Sequence, residues 1–305
     1  MRQGVATGSF RAVSIFVDVS SFTPMATALM EYSTEGAEVI AAVLDTIFAP
    51  LIDIIYAHGG FVATFAGDAF TALFPFGATA RTSDYAAYLH AVVAAWQCNQ
   101  FVIANQSQRT RFGQFSFAVR LSIADGLVEW GIWQSAGNDD ENQWLQHATY
   151  FFMGEALDRC FIADKLVPPG EVVLTKAVYQ RLPPAAIKTK QLEDYYQLMG
   201  LDTAPITPMV DDSTPLSEEN RKMLNRFFPN ELLGRASSGE FRQIVAVFIN
   251  LAECPRGPES LSFQHQLFHH LAQYGGYLCS VGRIGRHDSA CSLILFWGAP
   301  TSHEN

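Results

Sequence analysis

Two aspartates in this sequence stand where carboxylates could bind a divalent cation. Asp18 directly follows the apolar run of residues 13–17, and Ser20 and Ser21 come next. Asp68 lies in a predicted two-residue turn between two runs rich in Phe, Val, Thr and Ala. Carboxylates bind Mg²⁺, and a small-residue turn that opens a helix offers backbone N–H groups to phosphate oxygens. This combination favours a metal–phosphate site.

The turn that contains Asp68 is part of the sequence FVATFAGDAFTALF, residues 61–74. Gly67 at the first turn position supplies the positive φ that a tight hairpin needs. On turn chemistry alone, an aspartate at such a position is most often only a turn residue. The metal-site prediction therefore depends on Asp68 being paired with Asp18.

The elements that position these aspartates can be predicted from hydrophobic periodicity. Residues 13–19 are apolar at nearly every position, which predicts a central strand covered on both faces. We expect a short helix over 22–31 and a long helix over 35–57, with Pro50 inside it. His58 stands beside the glycines that end this helix, so we expect a solvated side chain.

Further helices and strands alternate downstream of the Asp68 hairpin. They are a helix over 83–105, strands over 114–123 and 127–133 joined by a turn at Asp125-Gly126, a strand over 150–153, a helix over 154–167 and a strand over 171–174. This mixture of hairpins and helices predicts an antiparallel-rich α+β domain.

A partial second copy of the pattern follows. Residues 242–250 resemble the first strand, with Asn250 at the place of Asp18, and a Gly-Gly-aromatic sequence recurs after the next helix. We therefore predict a first domain over 1–200, a linker over 201–239 and an incomplete second domain over 240–305. We expect the chain to be part of a longer protein that contains a tandem pair.

Composition narrows the class of protein. The formal net charge of −10 argues against nonspecific binding to nucleic acid. The five cysteines contain no CxxC pair, which indicates buried thiols in a reducing compartment. The apolar run over 39–57 contains Asp45 and Asp53, so we interpret it as a buried helix and not as a membrane span. Without an N-terminal signal peptide, these features predict a cytoplasmic protein with no membrane partner.

The sequences VSIFVDVSSFT and GGFVATFAGDAFTALF resemble the catalytic domain of the class III adenylate/guanylate cyclases. The more specific resemblance is to the first half of the soluble, bicarbonate-responsive type. The family pattern places Asp-hydrophobic-Ser-Gly-Phe-Thr after a strand and a Gly-Asp turn further on. This chain keeps both aspartates, the Phe22-Thr23 pair and the turn over 66–69. The resemblance implies a ferredoxin-like, palm-type sheet with helices.

The resemblance also implies an activity. It implies that ATP, or GTP, is converted to a 3′,5′-cyclic nucleotide and pyrophosphate by two-metal catalysis with two Mg²⁺ or Mn²⁺ ions, adenylate cyclase being favoured. Asp18 and Asp68 would be the catalytic metal ligands, with the Val19 carbonyl as a third ligand. The residues whose N–H groups would bind the nucleotide phosphates are Ser20, Ser21, Phe22 and Thr23.

The chain departs from the family at the positions that read the base and stabilise the transition state. Thr64 stands at the lysine position, Asp158 at the asparagine position and Ile162 at the arginine position. Phe161 replaces the arginine that binds bicarbonate, which places bicarbonate regulation in doubt. In the second copy, Arg283 falls at the position of the base-reading lysine. The missing groups would come from a second cyclase domain, in the same chain or in a homodimer partner.

Other interpretations of these motifs remain. The chain could be a catalytically inactive pseudo-cyclase that acts as a regulatory dimerisation or nucleotide-sensing module. A diguanylate cyclase is disfavoured because the sequence contains no Gly-Gly-Asp/Glu-Glu-Phe loop. A phosphatase of the Asp-x-Asp type is excluded because Ser20 stands in place of the second aspartate.

Overall fold

The computed structural model describes residues 6–77, 84–135, 147–202, 217–218, 224, 226–228, 242–255, 260–282 and 291–299. The helices in these ranges are α1 (Phe22–Met30), α2 (Ser33–Ala57), α3 (Asp84–Ala104), α4 (Glu155–Asp164), α5 (Lys176–Tyr179) and α6 (Ser260–Tyr274). The strands are β1 (Ala6–Ser20), β2 (Phe61–Ala66), β3 (Ala69–Pro75), β4 (Ser107–Thr110), β5 (Gly113–Ser116), β6 (Ala118–Gln134), β7 (Ala148–Met153), β8 (Val172–Thr175), β9 (Ile187–Leu192), β10 (Tyr195–Leu201), β11 (Val245–Leu251), β12 (Tyr277–Gly282) and β13 (Cys291–Trp297).

Eight strands form one sheet in the order β2-β3-β1-β6-β8-β10-β9, with β7 paired to β6. The pairs are antiparallel except that of β6 with β8. Strand β1 lies inside the sheet, between β3 and β6. The predicted α+β class with an antiparallel-rich sheet is therefore confirmed.

Both faces of β1 are buried, as the sequence predicts. Val13, Ile15 and Val17 belong to the main hydrophobic core, which also contains side chains of α1, α2 and α3. Phe16 belongs to a smaller core on the opposite face, together with side chains of α4. Because side chains alternate between the faces of a strand, Asp18 lies on the same face as Phe16.

Helix α2 is long and apolar enough to cross a membrane by length and composition alone. In the structure, Val43, Ile47, Leu51 and Ile55 lie at helical spacing and are buried in the main core. The apolar run of the sequence thus forms a helix with one face in the main core, and its interpretation as a helix that does not span a membrane stays a prediction. Pro50 lies inside the helix.

The predicted turn at Asp125-Gly126 is wrong, because β6 continues through both residues. A Cβ atom at position 126 would lie 3.0 Å from the backbone nitrogen of Ala156, so glycine permits the close approach of α4. The buried Asp125 carboxylate accepts a hydrogen bond of 2.7 Å from the Tyr88 hydroxyl. These contacts join residues that are distant in sequence, so turn chemistry alone does not predict them.

A second, three-stranded sheet has the order β11-β13-β12, which repeats the order β1-β3-β2 of the first sheet. The hydrophobic core of this unit includes Leu278 and Val281, and it extends to Trp133 and Phe151 of the β6–β7 hairpin. The observed topology agrees with an internal repeat. The predicted domain boundaries stay predictions, and most of the linker over 201–239 lies outside the described residues.

The connection between β1 and α1 consists of Ser21, whose φ of 73° lies in the left-handed region. An L-residue with a Cβ atom is disfavoured there by about 1–2 kcal/mol, whereas glycine adopts this conformation freely. The exposed Ser21 side chain makes no capping hydrogen bond to the helix. The turn is therefore strained at the position where the resembled family has glycine.

We expect Ser21→Gly to raise the free energy of unfolding by about 1 kcal/mol, because it removes this strain. Urea denaturation measures the change. Ser116→Gly, at the exposed last position of β5, is the matched control and should lower stability slightly, since glycine loses more backbone entropy on folding than serine. A Ser21→Gly variant less stable than the parent would contradict the account of the turn.

The solvated position predicted for His58 is also wrong, since this side chain is 2% exposed between α2 and α3. Its Nε2 lies 3.0 Å from the Oε1 of Gln97, and its Nδ1 lies 3.3 Å from the Nδ1 of His90. Burial and the neighbouring His58 lower the pKa of His90. One of the two facing Nδ1 atoms must carry the proton of this hydrogen bond and the other must accept it.

We expect acid to destabilise the fold partly through His90. The unfolded histidine has a pKa of about 6.5, so below that pH the unfolded chain binds a proton that folded His90 binds less readily. The contribution of His90 to the free energy of unfolding is therefore retained above about pH 6.5 and is lost as the pH falls toward the lowered pKa of the folded state.

Urea midpoints at about pH 7.5 and about pH 5.5 measure this effect. His90→Gln should show a smaller acid-induced loss than the parent. A residual loss is expected because burial also lowers the pKa of His147. The exposed His265→Gln is the control and should behave as the parent. An unchanged loss in His90→Gln would contradict the assignment.

Candidate active site

The sheet brings Asp18 and Asp68 to the same place. In the β1–β3 register, Asp18 lies opposite Ala69, the residue that follows Asp68. The Val19 N–H group donates a hydrogen bond of 3.0 Å to the Asp68 carbonyl. Gly67 has a φ of 65°, as predicted for the first position of the turn. The two aspartates are therefore neighbours across a strand pair.

The four residues predicted to bind phosphate follow Asp18 directly. Ser20 ends β1 and pairs with Ala118, and its hydroxyl oxygen is buried without a hydrogen-bond partner among the described residues. Ser21 forms the turn, and Phe22 and Thr23 begin α1. The first N–H groups of a helix have no intrahelical partner. This end of α1 thus points donors toward the region beside Asp18.

The start of α1 also has electrostatic character that suits an anion. The first turn contains no acidic residue that would neutralise the positive end of the helix dipole. Pro24 lacks an N–H group, so the donors of the first turn are Phe22 and Thr23, and the Met25 N–H group already bonds to the Ser21 carbonyl.

Arg120 is a residue of the site that the sequence-based reasoning did not find. It lies directly opposite Asp18 in the β1–β6 register, and its guanidinium forms an ion pair with the Asp18 carboxylate. The Asp18 side chain is 12% exposed and the Arg120 side chain is 23% exposed. The one available signal was that Arg120 is the sole charged residue in the strand predicted over 114–123.

The oxygen ligands that the site offers are compatible with Mg²⁺ or Mn²⁺. Carboxylate and carbonyl oxygens are hard ligands, and Mg²⁺ is commonly bound by one or two carboxylates together with substrate phosphates and water. In the described part of the chain, no cluster of three or more His, Cys, Asp or Glu side chains could hold a metal ion. Asp18, Asp68 and the Val19 carbonyl are oxygen ligands of the type that Mg²⁺ or Mn²⁺ binds together with a phosphate group.

The positions that depart from the family are integrated into the fold in other ways. Phe161 is buried and its ring meets that of Phe16 edge-to-face at 5.1 Å between centroids. Ile162 is 52% exposed on α4, and the Thr64 hydroxyl donates to the backbone carbonyl of Phe65. The base-reading candidate Arg283 lies outside the described residues.

No protein-family model matches this chain, and no curated protein matches it. Solved structures do match. The guanylate cyclase domain of RhGC from Catenaria anguillulae in complex with GTP is 17% identical, with a TM-score of 0.49 over 64% of this chain and 99% of that chain. The dimeric guanylyl cyclase domain of the RhoGC fusion protein from the aquatic fungus Blastocladiella emersonii is 16% identical, with a TM-score of 0.47 over 65% and 98%.

The adenylyl cyclase CyaB from P. aeruginosa is 17% identical, with a TM-score of 0.46 over 64% of this chain and 96% of that chain. The narrower resemblance to the bicarbonate-responsive type stays a prediction. The structural neighbours of this chain are catalytic domains of the class III nucleotidyl cyclases, the class that its two motifs resemble.

Proposed function

We propose that this chain is the metal-binding half of a nucleotidyl cyclase that converts ATP, or GTP, to a 3′,5′-cyclic nucleotide and pyrophosphate. The observation that supports the proposal most strongly is the meeting of Asp18 and Asp68 across the β1–β3 pair, beside the start of α1. Two carboxylates next to unpaired helix N–H groups suit a metal-bound triphosphate.

In this proposal, Asp18, Asp68 and the Val19 carbonyl would hold two Mg²⁺ or Mn²⁺ ions. When bound, these ions would supply Lewis acidity for the ribose 3′-hydroxyl and positive charge opposite the phosphates. The N–H groups of Phe22 and Thr23 donate to phosphate oxygens and fix the triphosphate relative to β1. The contribution of this chain is therefore position and charge, which are the main requirements of phosphoryl transfer.

The remaining catalytic groups belong, in this proposal, to a second cyclase domain in the same chain or in a homodimer partner. Thr64, Asp158 and Ile162 do not supply the lysine, asparagine and arginine of that half. Arg283 is the candidate base-reading residue of the second copy, and its guanidinium differs from a lysine ammonium in geometry. We favour ATP over GTP as the substrate. In this proposal the protein acts in cytoplasmic signalling and has no nucleic-acid or membrane partner.

A pseudo-cyclase is the second candidate function. It is favoured by Asp158 and Ile162 of α4, which stand at the asparagine and arginine positions that stabilise the transition state in the resembled family. Such a module would bind a metal-bound nucleotide or a partner domain without turnover. Nucleotide binding without a cyclic product separates this candidate from the enzyme.

We expect Asp18→Asn and Asp68→Asn each to weaken Mn²⁺-dependent binding of a non-hydrolysable ATP or GTP analogue by about 10-fold or more, because each removes an anionic metal ligand. Calorimetric titration of the full chain with and without Mn²⁺ measures the affinity. Asp53→Asn, at an exposed position of α2, is the matched control and should bind as the parent.

Chromatographic detection of cyclic nucleotide then separates the two candidate functions. A product formed by the parent and lost in Asp18→Asn supports the cyclase. Mn²⁺-dependent binding without product, even in the presence of a second cyclase domain that carries the lysine, asparagine and arginine, supports the pseudo-cyclase. Binding by the parent that survives in both aspartate variants would contradict the proposed site, provided that thermal melts show both variants folded.

A further inference from the structure

The ion pair between Asp18 and Arg120 involves the same carboxylate that the proposed function assigns to the metal. The two residues are directly opposite in the β1–β6 register, and both side chains are mostly buried. The Arg120 Nε is buried and has no hydrogen-bond partner among the described residues. The guanidinium thus already has one unsatisfied donor while it contacts the carboxylate.

This arrangement opposes the entry of a metal ion by itself. A cation that takes the Asp18 carboxylate would remove the charge partner of Arg120 and would place a second positive charge beside a partly desolvated guanidinium. Breaking a buried pair by removing one partner is costly because the other charge remains uncompensated. In the structure, the Asp18 carboxylate already has the Arg120 guanidinium as its charge partner.

A nucleoside triphosphate changes this balance. Its phosphates carry more negative charge than one divalent ion neutralises, and they offer the oxygen pairs that a guanidinium binds in bidentate fashion. Arg120 could then exchange the carboxylate for phosphate oxygens while the metal takes the carboxylate. The start of α1, which provides the Phe22 and Thr23 N–H groups, follows Asp18 on the same strand.

We propose that Arg120 is an internal counter-cation of Asp18. Its ion pair prevents Asp18 from binding a free divalent ion, and the pair is broken only when the ion binds together with a phosphate-bearing nucleotide. This inference rests on the proposed function. It assigns to the site a built-in coupling between metal and nucleotide, and by linkage each ligand raises the affinity of the other by the same factor. Arg120 acts here through Asp18 and is a positioning residue.

The test measures Mn²⁺ binding in the absence and presence of a non-hydrolysable nucleoside triphosphate analogue. Electron paramagnetic resonance counts free Mn²⁺ and therefore reports weak binding directly. Arg120→Met should bind Mn²⁺ alone at least 10-fold more tightly than the parent. The factor by which the analogue raises Mn²⁺ affinity should shrink at least 10-fold. If Arg120 had a purely structural role, its replacement would not raise the affinity of the chain for Mn²⁺.

Two further variants make the test robust. Arg120→Gln is neutral but can still donate a hydrogen bond to Asp18, so it provides a second neutral side chain if Arg120→Met does not fold. Arg111→Met removes an exposed arginine that pairs with Glu35 and Glu38, and should leave both measurements unchanged. Circular dichroism establishes which variants are folded.

The outcomes distinguish the inference from the proposed function. If folded Arg120 variants bind Mn²⁺ alone no more tightly than the parent, the counter-cation role is wrong. The proposed function still stands in that case if Asp18→Asn abolishes binding of the Mn²⁺–nucleotide pair. If the parent binds no Mn²⁺–nucleotide pair, the proposed function fails, and the inference fails with it.

Discussion

The pairing of β1 on both of its edges is the constraint on which the rest of this structure depends. Its pairing with β3 places Asp18 beside the Asp68 turn, and its pairing with β6 places Arg120 opposite the same carboxylate. Both registers must hold for Asp18 to lie beside the Asp68 turn and opposite Arg120. They are stabilised by two hydrophobic cores, one on each face of the strand, so that a slip of one residue would exchange the faces and expose apolar side chains.

The chemistry of the site follows from what this strand delivers. A largely buried carboxylate, a guanidinium and the open end of a helix lie together at one end of β1. None of these groups alone indicates a function. Together they form a site in which Arg120 pairs with Asp18 and in which, as proposed, a metal-bound phosphate would replace this pairing. The strained turn at Ser21 belongs to the same arrangement, because it joins the end of β1 to the start of α1.

Local sequence patterns predict most of the helices and strands, whereas they do not predict the residues whose positions depend on long-range contacts. The apolar run of β1 and the Gly67 turn are local signals, and the structure confirms both. The Asp125-Gly126 pair is typical of a turn, but the glycine is required by the close approach of α4, which is distant in sequence. The glycines after His58 suggest solvent exposure, but its partners, including His90, come from α3. Arg120 was missed because only the pairing of two strands places it opposite Asp18.

The central claim is that Asp18 and Asp68 act on one bound metal–nucleotide pair, and a double-mutant cycle tests it most directly. The affinity for Mn²⁺ with a non-hydrolysable triphosphate is measured for the parent, Asp18→Asn, Asp68→Asn and the double variant. If the two carboxylates share the ligand, each single change removes most of the binding and the double change adds little, so the coupling is large. Losses that add independently, or binding that survives in the double variant, would contradict a shared site.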